Sequence, residues 1–226
     1  MLVKNRMTRD PVAVSPDHTL AAAQQLTQEH RIRHLPVVSG GELVGILSDR
    51  DIRSASPSTV ATDEPGRAEF LGRTSVAEVM TREVISAGAT DTVEDAARVL
   101  CRHRIGALPV VDAANRLLGI LTETDVLHAF VEMLGASNAS TRLEVELRDR
   151  PGELARAVRI VGEDLRLNIG SVLVPPMRER GNKTAILHVA TIDPREAIAA
   201  LEAAGYRVGW PSLEADLRRP AEGPAR

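Results

Sequence analysis

Two short spacings in this 226-residue chain place a hydroxyl three residues ahead of a carboxylate: Ser48-Asp49-Arg50-Asp51 and Thr122-Glu123-Thr124-Asp125. [Ser/Thr]-x-x-[Asp/Glu] is the signature of a helix capping box. The same hydroxyls, with the free amides of a helix start, can also meet phosphate oxygens. The two roles are compatible, because a cap can lie at the rim of a cleft. Other chemistry is missing from the sequence: it has no phosphate loop, no His/Cys cluster at metal spacing and no nucleophile–base set. The chain is therefore expected not to be an enzyme. Its one cysteine, Cys101, falls on an apolar helix face and reads as a small core residue.

The two boxes sit at the ends of a repeat. Met7-Thr8-Arg9 recurs as Met80-Thr81-Arg82, and His30-Arg31-Ile32 as His103-Arg104-Ile105. Leu35-Pro36-Val37-Val38 recurs as Leu108-Pro109-Val110-Val111. After one inserted residue, Leu43-Val44-Gly45-Ile46-Leu47-Ser48 recurs as Leu117-Leu118-Gly119-Ile120-Leu121-Thr122. Each unit predicts a strand (Val12–Val14; Val84–Ser86), a helix, a hairpin of two apolar strands, and a final helix opened by Ser48 or Thr122. The second copy's first helix is marked by Val93, Ala96, Ala97, Leu100 and Cys101 at helical spacing. Leu20, Ala23 and Leu26 mark the first copy's less cleanly. The hairpin turns are Ser39-Gly40-Gly41-Glu42 and Asp112-Ala113-Ala114-Asn115-Arg116. Two such copies suggest a pseudo-symmetric pair sharing one core.

The twice-occurring Leu-Pro-Val-Val strand and Gly-Ile-Leu-[Ser/Thr]-x-x-Asp segment resemble the cystathionine β-synthase (CBS) domain, and the tandem resembles a Bateman module. The match spans residues 1–135: repeat one over 7–54, a linker over 55–73 with a short helix from Glu64 to Leu71, and repeat two over 74–135. The resemblance implies a cleft between the repeats that holds an adenine nucleotide (AMP, ADP or ATP) as regulatory ligand, with no required cofactor and no metal. By position, Asp51 and Asp125 would take ribose hydroxyls, since a carboxylate accepts two hydrogen bonds from a vicinal diol. Ser48 and Thr122, with Arg50 and Thr124 beside them, would face phosphate. Ile32-Arg33-His34 and Ile105-Gly106-Ala107, just ahead of Pro36 and Pro109, occupy the ribose and phosphate segment. Val12-Ala13 and Ile85-Ser86 occupy the adenine segment. The first copy, with Arg33, His34 and Arg50, carries more groups suited to a polyphosphate than the second, with Gly106, Ala107 and Thr124.

A different pattern begins after the hinge Ala136–Ser140. Leu143, Val145 and Leu147 alternate with Glu144, Glu146 and Arg148, as in a half-buried strand. The turn Asp149-Arg150-Pro151-Gly152 leads into a helix with Leu154, Val158, Val161 and Leu165 on one face. Strands over 169–174 and 184–190 flank a loop, a second helix begins near Asp193-Pro194, and Arg207–Trp210 closes the set. The order β-α-β-β-α-β is the ferredoxin-like split unit. Asp-Arg-Pro-Gly-x-Leu followed by Leu-Asn-Ile-x-Ser resembles an ACT domain over 140–210. That resemblance implies an amino-acid site at Asp149, Pro151, Gly152, Leu154 and Asn168; turn and capping chemistry explains the same residues. Residues 211–226 read as a flexible tail.

The expected fold class is therefore α/β (α+β): a tandem CBS β-α-β-β-α pair followed by a ferredoxin-like ACT domain. With Leu127-His128-x-Phe130-Val131 after the second box, the whole chain resembles the acetoin-utilisation accessory proteins. The family implies a homodimer, a link to acetoin or acetyl-group metabolism, and a regulated enzyme partner that the residues do not name. The alternatives are a dimeric scaffold or partner-protein regulator without a small ligand, and an amino-acid sensor. Composition narrows the field further. Aromatics are 2% and net charge is −3, which argues against nucleic acid as partner. The single cysteine and the lack of a long apolar run lead to an expected cytoplasmic location with no membrane contact.

Overall fold

A computed structural model describes residues 1–57, 63–135, 140–176 and 182–209. They form two units, one over Met1–Ala129 and one beginning at Phe130. Within the anticipated linker, hinge and third-strand loop, residues 58–62, 136–139 and 177–181 lie outside this set, as do Trp210 and the tail. Among the described residues no helix is long and apolar enough to cross a membrane.

In the first repeat, strand β1 (Thr8–Arg9) is followed by helix α1 (Leu20–Glu29), strands β2 (His34–Ser39) and β3 (Glu42–Ser48), and helix α2 (Asp49–Ala55). Thr19 caps α1, its Oγ1 accepting from the Ala22 amide at 3.2 Å. β2 and β3 pair antiparallel around Gly40 and Gly41, whose φ values of 60° and 90° fall in the left-handed region that glycine enters freely. Helix α3 (Glu64–Arg73) follows, two residues longer than expected and capped by Asp63. The second repeat supplies α4 (Val76–Val79), β4 (Ala87–Gly88), α5 (Val93–His103), β5 (Ala107–Val111), β6 (Leu117–Thr122) and α6 (Glu123–Met133). Leu35, Val37 and Leu47 are fully buried in one repeat, and Leu108, Val110 and Leu121 in the other.

The repeats exchange their leading segments. Thr8 and Arg9 pair antiparallel with Ile120 and Gly119 of β6, while Thr81 bridges Ile46 of β3. The Val3 amide donates to the Asp91 carbonyl at 2.9 Å, and the Val76 amide to His18 at 2.8 Å. The motif glycines make room for this crossing. A Cβ on Gly119 would lie 2.7 Å from the Thr8 carbonyl oxygen and 2.8 Å from Met7 Sδ. A Cβ on Gly45 would lie 2.5 Å from Met80 Sδ. The Met-Thr-Arg and Gly-Ile-Leu parts of the repeat are thus two faces of one interlock.

Three local expectations need correction. Val12–Val14 is not a strand: Val14 alone makes a parallel bridge, to Val37. Val84–Ser86 is not one either, because pairing starts only where Ala87 and Gly88 reach Val110 and Val111. The residues just before each meeting point have no ladder partner. Cys101 is exposed, not core. Helix α5 buries only the stripe Val93, Ala96 and Leu100, and Cys101 lies one residue past its edge.

The second unit contains β7 (Thr141–Arg148), α7 (Glu153–Arg159), β8 (Ile169–Leu173), β9 (Asn182–Val189), α8 (Arg195–Ala203) and β10 (Arg207–Gly209). The antiparallel sheet order β10-β7-β9-β8 is that of a split β-α-β unit. Leu143, Val145 and Leu147 are buried, as their alternation requires. One π turn, Ile160–Asp164, extends α7 and brings both Ile160 and Val161 inward.

Candidate functional site

Both capping boxes form. Asp51 Oδ2 accepts the Ser48 amide at 2.8 Å and its hydroxyl at 2.7 Å, and the Asp51 amide donates back to Ser48 Oγ at 3.2 Å. Thr122 and Asp125 repeat the pattern at 2.8, 2.7 and 3.3 Å. Each hydroxyl proton is therefore committed to its own aspartate. What each box leaves over is the second carboxylate oxygen, Oδ1, which accepts no hydrogen bond among the described residues.

The Ser48–Asp51 box forms the rim of a cleft of about 350 Å³ within the first unit, inside the range of small-molecule sites, about 300–1,000 Å³. Both repeats build it. The first contributes Arg33, His34, Ile46 and the stretch from Ser48 to Asp51. The second contributes Thr81, Glu83, Val84 and Ile85, Arg104 through Ala107, and Glu123. The exchange positions these pieces: Thr81 is tied to Ile46 through amide–carbonyl bonds of 2.9 and 3.0 Å, which carries Glu83, Val84 and Ile85 to the first repeat's box. The Asp49 amide donates to the Arg33 carbonyl at 2.9 Å, and the Glu123 amide to Gly106 at 3.1 Å, so each helix start is pinned to the segment ahead of its repeat's hairpin.

The cleft's charges are unevenly engaged. Asp49 pairs with Arg53 at 3.0 Å. Arg33, Arg50 and Arg104 make no ion pair among the described residues, and neither do Glu83 and Glu123. The His34 ring lies against Gly106: a Cβ there would sit 3.0 Å from its Cε1 and 3.1 Å from its Nε2. Burial, seconded by the neighbouring Arg33 charge, holds the His34 imidazole below its ordinary value of 6.5; Asp49, Glu123 and Asp51 oppose that shift. The neutral imidazole is accordingly the favoured form of His34. Among the described residues no three His, Cys, Asp or Glu side chains are grouped to hold a metal.

Of the residues singled out in sequence, the cleft gathers Arg33, His34, Ser48, Arg50, Asp51, Ile85, Ile105, Gly106 and Ala107. Val12, Ala13, Ile32, Ser86, Thr122, Thr124 and Asp125 do not line it, and Pro36 and Pro109 are buried within β2 and β5. Ile46, Asp49, Thr81, Glu83, Val84, Arg104 and Glu123 line it without having been anticipated. Asp49, Glu123 and Arg104 adjoin the repeated motifs and could have been suspected. Thr81, Glu83 and Val84 arrive only through the exchange.

The second unit has a separate cleft of about 270 Å³ lined by Glu146, Arg148, Glu153, Arg156, Asn182 and the stretch from Ala204 to Arg207. None of the five expected amino-acid-site residues lines it. Asp149 pairs with Lys183 at 2.5 Å, Pro151 and Gly152 form an exposed turn with Gly152 at φ 88°, Leu154 packs against the core, and the Asn168 carbonyl accepts from Ala190 at 2.8 Å.

Comparison with known proteins places the repeat. The model of the CBS domain matches residues 3–58 and again 76–132. The CBS domain-containing protein YhcV of Bacillus subtilis is 36% identical over 141 residues, covering 62% of this chain and 94% of YhcV. The crystal structure of a Vibrio cholerae protein named for acetoin utilisation, AcuB, is 30% identical and covers 61% of this chain and 95% of its own, with a TM-score of 0.51. The inosine-5'-monophosphate dehydrogenase of Korarchaeum cryptofilum is 29% identical over 212 residues, but this chain spans only 42% of that enzyme's length. Two matches over the interlocked repeats, at the spacing the structure explains, make this chain a member of the CBS-domain family with its CBS domains in tandem.

Proposed function

We propose that this chain is a regulatory, ligand-sensing protein whose CBS pair binds an adenine nucleotide in the cleft at the Ser48–Asp51 box. One observation carries the reading: Asp51, three guanidiniums without an ion pair among the described residues, and an apolar wall of Ile46, Val84 and Ile85 share one cavity. Asp51 Oδ1 takes the ribose hydroxyls while Oδ2 keeps the helix cap. Arg33, Arg50 and Arg104 take the phosphate, for which a guanidinium is the better geometric match. The apolar wall takes the base. Asp125, equally capped, has the same chemistry to offer the corresponding position of the other repeat.

The reading extends to the rest of the chain. The CBS pair occupies residues 1–135, and the split β-α-β topology supports an ACT domain over 140–210. The likeness to AcuB supports a link to acetoin or acetyl-group metabolism, and the protein acts as a homodimer. Isothermal titration with AMP, ADP, ATP and S-adenosylmethionine tests the proposal. Asp51→Ala should weaken binding by about 1.5–3 kcal/mol, the range for a hydrogen bond to a charged group. Ser48→Ala, which removes half the cap and leaves the carboxylate, should cost stability of about 1 kcal/mol but little affinity. Silence with every adenosine compound leaves the dimeric scaffold as the better reading. A response to an amino acid alone moves the sensor to the second unit.

A further inference from the structure

The charge of the cleft restricts the charge of what it can hold. Arg33, Arg50 and Arg104 are its permanently cationic side chains among the described residues, and burial disfavours the charged form of His34. Against them stand four carboxylates, Asp49, Asp51, Glu83 and Glu123. Two of the four have structural tasks: Asp49 holds Arg53 and Asp51 caps α2. Glu83 and Glu123 have none, being exposed and without an ion pair among the described residues. Glu123 Oε2 lies 3.7 Å from where a Cβ on Gly106 would sit, beside the His34 ring. Glu83 enters on the exchanged segment two residues past Thr81.

A phosphate monoester brings about 1.5–2 negative charges at neutral pH. Three guanidiniums exceed that load by about one charge. A second phosphoryl group takes up that margin and a third overruns it, setting negative charge near two carboxylates that repel it. Resting on the nucleotide reading above, we infer that this cleft takes an adenosine monophosphate, or an adenosine compound of no greater negative charge, and turns away the metal-free triphosphate. Glu83 and Glu123 are the residues that discriminate.

The full-length protein, titrated calorimetrically with AMP, ADP and ATP in EDTA, tests this. AMP should bind at least about tenfold tighter than ATP, a gap of about 1.4 kcal/mol, with ADP between them. In the Glu83→Gln/Glu123→Gln double variant the AMP-to-ATP ratio should fall below about threefold, because ATP binds tighter. Both side chains are exposed, so the variant is expected to fold, which circular dichroism verifies. ATP binding as tightly as AMP, or a ratio that the double variant leaves unchanged, overturns the inference and leaves the nucleotide reading standing. Absence of binding by all three overturns both.

Discussion

At the scale of single residues, Asp51 divides its two oxygens. Oδ2 holds the start of a helix while Oδ1 accepts no hydrogen bond among the described residues, so in the proposed reading capping and ligand contact need not compete. His34 supplies a pH dependence whose sign follows from its burial. Its folded value lies below 6.5 while the unfolded chain keeps the ordinary one. On acidification through that window the unfolded state takes up the proton first, so His34 contributes stability above pH 6.5 that fades as the pH falls. His34→Gln should therefore flatten the slope of melting temperature against pH just below the ordinary value of 6.5. An unchanged slope would show that other groups set it.

Among the elements, the glycines of the repeated Gly-Ile-Leu segment are steric permits for the exchanged chain, and they are not equivalent. A methyl at Gly119 meets the backbone of Thr8, which can move only with its strand; a methyl at Gly45 meets the thioether end of Met80 more closely than any backbone atom. Gly119→Ala should cost about 1–3 kcal/mol and Gly45→Ala less, the cost of overpacking being smaller where a flexible side chain can yield. Gly72, in helix α3 with open space around it, should behave oppositely, Gly72→Ala gaining about 0.5–1 kcal/mol. Denaturant midpoints rank all three. The elements themselves were legible because their periods are local. Leu143, Val145 and Leu147 announce β7, and the repeated Leu-Pro-Val-Val announces β2 and β5. The wall formed by Thr81, Glu83 and Val84 was not legible, since it depends on which repeat a leading segment pairs with. Cys101 misled for the opposite reason: five apolar residues fit a helical face, but α5 buries a stripe too narrow to include it.

Over the whole molecule, each unit has hydrophobic cores of its own: one built on Leu143, Leu187 and Leu201, and two in the CBS pair, where Val3 joins Leu108 and Leu121 and where Val76 and Met80 join Leu35 and Leu47. A unit with its own core can unfold on its own. Scanning calorimetry should show two transitions, with saturating AMP raising only that of the CBS pair; ligand at 100 times its dissociation constant adds about 2.7 kcal/mol to the unit that binds it. Both transitions moving together would tie the units into one cooperative block.

The traded leading segments reach beyond stability. Thr8 and Arg9 complete a sheet encoded more than a hundred residues later, and Thr81 returns the favour to a strand encoded before it. Neither copy is self-sufficient. The two copies form a single structural part, because a deletion that removes either copy also strips its sibling of an edge.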